Sequence, residues 1–107
     1  MTTVTFINAS GVSRAVDAPA GLSIADAALL RGVPGIEADS GGNCACATCH
    51  VYLDEQWAAR VPPVEELEEM MLDHAIERRA TSRLSCQIRL SDALDGIVIH
   101  TPARQYL

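Results

Sequence analysis

Aromatic residues are scarce in this chain, with one Trp, one Phe and two Tyr among 107 residues. Basic charge is also in short supply: 8 basic residues stand against 14 acidic ones, for a formal net charge of -6. Together these shortages make nucleic acid a poor partner and a basic protein surface a better one. No run approaches the roughly 20 apolar residues of a membrane span, and the start Met1-Thr2-Thr3-Val4-Thr5-Phe6-Ile7 lacks the charged and apolar regions of a signal peptide. The chain is therefore expected to be cytoplasmic, with no membrane association. With 49% of its residues apolar, it has the size and composition of one domain, residues 1–107, around one modest core.

Disulfides are disfavoured in a reducing compartment, so clustered cysteines there are more often metal ligands or redox groups than structural staples. Three of the four cysteines cluster in Ser40-Gly41-Gly42-Asn43-Cys44-Ala45-Cys46-Ala47-Thr48-Cys49-His50, and the fourth follows far downstream in Leu84-Ser85-Cys86-Gln87. A glycine-rich loop with close cysteines, completed by a remote one, is how a chain surrounds an iron-sulfur cluster with thiolates and backbone N–H donors. Gly41 and Gly42 let the main chain bend close to the cluster, and the small residues Ala45, Ala47 and Thr48 keep its surroundings tight. The expected product is an electron carrier and not an enzyme. Incidental cysteines on a surface loop would not cluster this closely. A structural zinc domain is the rival, because Cys44, Cys46, Cys49 and Cys86 number four. Zinc sites usually pair their cysteines as two C-x2-C knuckles, and only Cys46 and Cys49 have that spacing.

Around the loop the pattern reads as a mixed α+β fold. Val4 and Phe6 alternate with Thr3 and Thr5, and after the Asn8-Ala9-Ser10-Gly11 turn a second stretch runs from Val12 to Ala18, predicting a β-hairpin. Ser23 is placed as the N-cap of a helix with Asp26 at its third position, Ile24, Ala27, Ala28 and Arg31 on one face, and Gly32 as the stop. Gly32 to Cys49 shows no period and reads as a long loop, a feature that in small domains is usually functional. His50 to Leu53 predicts a strand and Glu55 to Ala59 a brief helical turn. Beyond Val61-Pro62-Pro63, the residues Val64, Leu67, Met71 and Ala75 predict a helix with an apolar stripe, and Met70 and Met71 are assigned to the core. Its opposite face is expected to be acidic: Glu65, Glu66, Glu68, Glu69 and Asp73. Cys86 to Leu90 and Ile97 to Ile99 are predicted to complete the sheet, with Asp95-Gly96 as a turn between them.

Cys46-Ala47-Thr48-Cys49-His50-Val51-Tyr52, Ser82-Arg83-Leu84-Ser85-Cys86-Gln87, Leu94-Asp95-Gly96-Ile97-Val98 and Pro102-Ala103-Arg104-Gln105-Tyr106 together resemble the 2Fe-2S ferredoxins of the adrenodoxin and putidaredoxin type. That family has Cys, five residues, Cys, two residues, Cys, then a distant Cys followed by Gln. The resemblance implies a β-grasp fold: a mixed sheet with a crossing helix and a long cluster-binding loop. It also implies one-electron shuttling from a flavin-containing ferredoxin reductase to a cytochrome P-450 type monooxygenase. A related ferredoxin serving iron-sulfur cluster assembly is the alternative, against which the terminal Arg104-Gln105-Tyr106 argues. Such a carrier is expected to act as a monomer.

On the family pattern Cys46, Cys49 and Cys86 take the second, third and fourth ligand positions, and Ser40 takes the first. Either Ser40 ligates through oxygen or Cys44 supplies the fourth thiolate. Ser40 keeps the family spacing without moving the backbone, whereas Cys44 would force the Gly41-Gly42-Asn43 segment to refold. An alkoxide is a harder ligand than a thiolate, so Ser40 should weaken the cluster and lower its potential. His50 invites comparison with Rieske centres, but those need two histidines, and His74 and His100 have no matching loop. His50 is expected instead to hydrogen-bond the cluster loop from its edge. An acidic helix face is usually solvated surface; in this family it docks partners, which makes Glu66 and Asp73 candidate partner contacts. Asp39 beside the loop and Tyr106 near the end of the chain are two more.

Overall fold

A computed structural model describes residues 2–33, 49–75 and 77–103. Strands β1 (Thr2–Ile7) and β2 (Ser13–Ala18) form the antiparallel hairpin, with Val4 facing Val16. Its turn closes through Asn8, whose side chain accepts from Ser10 N and Val12 N while Gly11 takes a φ of +86°. Helix α1 (Ile24–Leu30) starts where Ser23 Oγ accepts from Asp26 N at 3.0 Å. Ile24, Ala25, Ala27 and Ala28 supply its buried face. Arg31 does not belong to that face; it caps the helix and sends its guanidinium across the surface to the carbonyl of Asp17 at 2.8 Å. Gly32, at a φ of +68°, ends the helix as its permissive backbone predicts.

After residues 34–48, β3 (His50–Leu53) leads into the short α2 (Glu55–Ala58) and α3 (Glu66–Leu72). Strand β4 (Ser82–Leu84), two 3-10 turns (Ser85–Gln87 and Asp92–Leu94) and β5 (Ile97–His100) follow. The sheet order is β2-β1-β5-β3-β4, with β1 and β5 parallel and the other pairs antiparallel. This is the mixed sheet of the β-grasp fold. Val4, Phe6, Val51, Leu53, Ile97 and Ile99 join the α1 residues in one buried cluster. None of the described helices is long and apolar enough to cross a membrane.

Two expectations shift here. The strand predicted over Cys86 to Leu90 lies earlier, at Ser82–Leu84, and Cys86 sits in the 3-10 turn that leaves it. Ile88 and Leu90 instead pair with the approach to α1: Ile24 N donates to Ile88 O at 2.9 Å and Leu90 N to Leu22 O at 2.8 Å. The second shift concerns α3. Leu67 and Met70, placed in the core by sequence, are each 55% exposed, while Glu68, placed on the acidic face, is buried. The inward stripe runs through Val64, Glu68, Met71, Leu72 and Ala75, which keeps helical spacing but passes through a carboxylate. Burying that carboxylate is possible only because a cation and an amide meet it.

Candidate metal centre

Two of the expected ligands lie within the described residues, and the fold brings them together. Cys49 lies immediately before β3, and Cys86 occupies the turn immediately after β4. Because β3 and β4 are antiparallel neighbours with His50 opposite Leu84, these two ends emerge side by side. The sulfurs are 3.1 Å apart and both residues are buried. That separation is far beyond the roughly 2.05 Å of a disulfide and suits two sulfurs aimed at one shared metal position. Ser85 fixes the pair, since both its amide (3.0 Å) and its hydroxyl (2.7 Å) donate to the carbonyl of Cys49. Gln87 Nε2 donates to Cys86 Sγ at 3.5 Å, the kind of contact that stabilises negative charge on a ligating thiolate. Ser40, Gly41, Gly42, Cys44, Ala45, Cys46, Ala47 and Thr48 lie outside the described residues, as do Asp39 and Tyr106.

His50 is fully buried, and its Nε2 lies 2.8 Å from Ser82 Oγ on the neighbouring strand. Ser82 Oγ also accepts from Arg79 N at 2.7 Å. The His50 ring meets Tyr52 edge-on at 4.8 Å, and Tyr52 in turn is covered by the Arg79 guanidinium at 4.3 Å and donates its hydroxyl to Glu77 O at 2.7 Å. Burial lowers the His50 pKa from 6.5 to about 4, and the positive charges of Arg78 and Arg79 act in the same direction. The imidazole is thus a neutral strut tying β3, next to Cys49, to β4 and the segment before it.

A second brace holds the other side of β4. Glu68 accepts from Arg83 Nε at 2.7 Å, Arg83 Nη2 at 3.0 Å and Leu84 N at 3.0 Å, and Arg83 Nη1 donates to Pro62 O at 2.7 Å. The bidentate pair is almost fully shielded from water, so α3 is anchored to the strand that delivers Cys86. Sequence reading missed this pair. The signal was available in the helical spacing of Val64, Glu68 and Leu72, a carboxylate on an apolar stripe with a lone arginine inside a short strand.

On the outer side of α3, Glu66 and Asp73 are both exposed, as a partner contact requires. Asp73 is already partnered: Arg78 Nη1 lies 2.7 Å from it and Arg78 Nη2 lies 2.6 Å from Glu69.

The paired thiols have the chemistry of an iron-sulfur site, and comparison with known proteins decides its class. The family model for the 2Fe-2S iron-sulfur cluster binding domain matches residues 7–91. The chain belongs to the 2Fe-2S ferredoxin family. Ferredoxin CarAc of a Sphingomonas species is 51% identical, over 95% of this chain and 94% of that protein. The crystal structure of a ferredoxin from Rhodopseudomonas palustris HaA2 matches at a TM-score of 0.95 and 48% identity, covering 97% of this chain and 99% of that one. Putidaredoxin of Pseudomonas putida is 40% identical over 99% of this chain and 100% of its own length. Putidaredoxin in its covalent complex with putidaredoxin reductase matches at a TM-score of 0.93, over 96% of this chain and 100% of that one. The protein is accordingly an electron carrier with a 2Fe-2S cofactor and not an enzyme, and the zinc alternative is set aside.

Proposed function

We propose that this ferredoxin carries single electrons from a flavin-containing ferredoxin reductase to a cytochrome P-450 type monooxygenase in the cytoplasm. The observation that carries the reading is the convergence of the Cys49 and Cys86 sulfurs at 3.1 Å in a chain related along nearly its whole length to putidaredoxin, which has been seen in a covalent complex with putidaredoxin reductase. A bound 2Fe-2S cluster would accept and release one electron. The residues around it hold its ligands in place: Ser85 and the His50–Ser82 strut fix the approach of Cys49, and the Glu68–Arg83 brace fixes the strand before Cys86. Gln87 stabilises charge on the Cys86 sulfur. Ser40 would take the remaining position beside Cys46, with Cys44 as a bystander. The direct test is purification with iron and acid-labile sulfide analysis, then rapid-mixing reduction by reduced putidaredoxin reductase and transfer to a P-450. A brown protein whose charge-transfer bands bleach in that mixture supports the reading. A protein with an intact cluster that no flavin reductase reduces would sink it.

Ligand assignment has its own test. Ser40→Cys should give a longer-lived cluster with a higher midpoint potential, whereas Cys44→Ala should change little, because a thiolate suits iron-sulfur chemistry better than an alkoxide. Cluster loss in Cys44→Ala with Ser40→Ala silent would reverse the assignment.

A further inference from the structure

Helix α1 is tied to the sheet region by hydrogen bonds at both ends, and the two ties bear on different parts of the metal centre. At its start, Ile24 N donates to Ile88 O, Leu90 N to Leu22 O and Gly21 N to Leu90 O, so the approach to the helix is joined to the segment that follows Cys86. Its end is held differently. The carbonyls of Ala27, Ala28 and Leu29 accept from Arg31 N, Val33 N and Gly32 N, as in a closing turn with its glycine in the left-handed region. The carbonyls of Arg31 and Gly32 accept instead from the hairpin, through Arg14 Nη2 at 2.7 Å and Nη1 at 3.2 Å. The last turn of α1 has no basic residue, so Arg14 also brings the positive charge that the negative end of the helix dipole favours. Arg31 returns the contact, with its Nε donating to Asp17 O at 2.8 Å. Strand β2 and helix α1 thus exchange arginines. Val33, the residue before segment 34–48, is buried and shares one cleft with Phe6, Val12 and Arg14.

We infer that Arg14 is a positioning residue for the 2Fe-2S cluster: its grip on the carbonyls of Arg31 and Gly32 fixes, relative to the sheet that delivers Cys49 and Cys86, the point at which the ligand-bearing segment 34–48 begins. The inference rests on the cofactor and on ligation from that segment, and it is indifferent to whether Ser40 or Cys44 joins Cys46, since all three fall within it. The closing turn of α1 fixes Gly32 and Val33 to the helix. Only the two arginines fix that end of the helix to β2 among the described hydrogen bonds. The far end of the same segment is pinned where Ser85 donates to the Cys49 carbonyl. A segment that must bring ligands to one metal position loses less conformational freedom when both its ends are already placed. Arginine suits the task because its planar fork reaches two adjacent carbonyls, which a lysine ammonium does not match. Arg14 is exposed, so its bonds add little to the stability of the whole fold. Cluster release needs only a local opening of the ligand segment, and there the same bonds count for more.

The test compares cluster-loaded wild type, Arg14→Gln, Arg14→Lys and Asn8→Ala. Asn8→Ala removes the acceptor of Ser10 N and Val12 N, which loosens the same hairpin without touching α1. Three properties are read: decay of the visible bands in excess iron chelator, the electron paramagnetic resonance spectrum of the dithionite-reduced cluster, and the denaturation midpoint by far-ultraviolet circular dichroism. Arg14→Gln should speed cluster loss about fivefold, the effect of one hydrogen bond of ordinary net strength, and broaden the resonance lines, with little change in midpoint. Arg14→Lys keeps the charge and one carbonyl contact, so about half of that effect, on a logarithmic scale, should be rescued. Asn8→Ala should lower the midpoint at least as much as Arg14→Gln does, while its cluster decays within about twofold of the wild-type rate. Cluster loss in Arg14→Gln at the wild-type rate with an unchanged resonance spectrum would overturn the inference. So would equal acceleration in Asn8→Ala, since hairpin stability alone would then account for the effect. None of these readouts involves a partner protein, so they stand or fall separately from the route of electrons proposed above.

Discussion

On the inward side of α3, Glu68 meets Arg83 in a pair whose side chains are 3% and 8% exposed; on the outward side, Glu69 and Asp73 meet Arg78 with all three in contact with water. The chemistry is the same and the setting is not. Inside, the attraction is unscreened, and every hydrogen bond is committed because no water can replace a lost partner. Outside, water and salt compete for the same charges, and holding long side chains in one geometry offsets much of the gain. Two arginine–carboxylate clusters on one helix therefore serve different ends. The inner one positions the strand that delivers Cys86, and the outer one joins exposed side chains at the surface.

Breaking the inner pair should have the largest effect. Glu68→Ala leaves the Arg83 guanidinium buried without its carboxylate and removes the acceptor of Leu84 N, for a loss of about 3–5 kcal/mol. Denaturant titration of the cluster-loaded protein, followed by far-ultraviolet circular dichroism and the visible bands, should show both transitions moving to lower denaturant. Glu68→Met with Arg83→Met removes both charges, so most of that stability should return. A residual loss of about 1–3 kcal/mol is expected, because Leu84 N and Pro62 O still lose partners. A single variant as stable as the wild type would show that the inner pair behaves like a surface pair, and the contrast would collapse.

The strut at His50 is a milder probe of the same buried side. Ser82→Ala withdraws the hydroxyl that meets both His50 Nε2 and Arg79 N, and a loss of about 1–3 kcal/mol is expected. Because β3 and β4 carry Cys49 and Cys86 at their adjoining ends, the variant should also release its cluster faster on standing in air, read as decay of the visible bands. Unchanged cluster lifetime with reduced stability would separate the fold's need for Ser82 from the site's.

The parts of this molecule that were readable in its sequence are those in which local chemistry and burial agree. The β1–β2 alternation, the Ser23 cap and the Gly32 stop each predict one structure, and the fold adopts it. Cys49 and Cys86 were recognisable from residue type and context, and their meeting follows once β3 and β4 pair. Reading failed where tertiary pairing overrides polarity. Taken alone, Glu68 belongs outside and Met70 inside; the Arg83 guanidinium, 15 residues on, reverses the first, and the solvent-facing side of a short helix reverses the second. The strand at Ser82–Leu84 was missed for the same reason, since an arginine buried at its centre hides the apolar signal.

The smallest expected effect belongs to the outer cluster. Arg78→Gln breaks both ion pairs, yet each is exposed and Gln can still reach water, so the denaturation midpoint should match that of the wild type within error. The wild-type midpoint should likewise differ little between low and high salt from this source, because the pairs contribute little that salt could screen away. The cluster spectrum should be unaltered as well. A clear drop in stability would give Arg78 a structural role, tying the end of α3 to the segment that carries the Glu77 carbonyl and the Arg79 cover over Tyr52. The outer cluster would then be an extension of the inner brace, and the division between the two sides of α3 would lie in exposure and not in purpose.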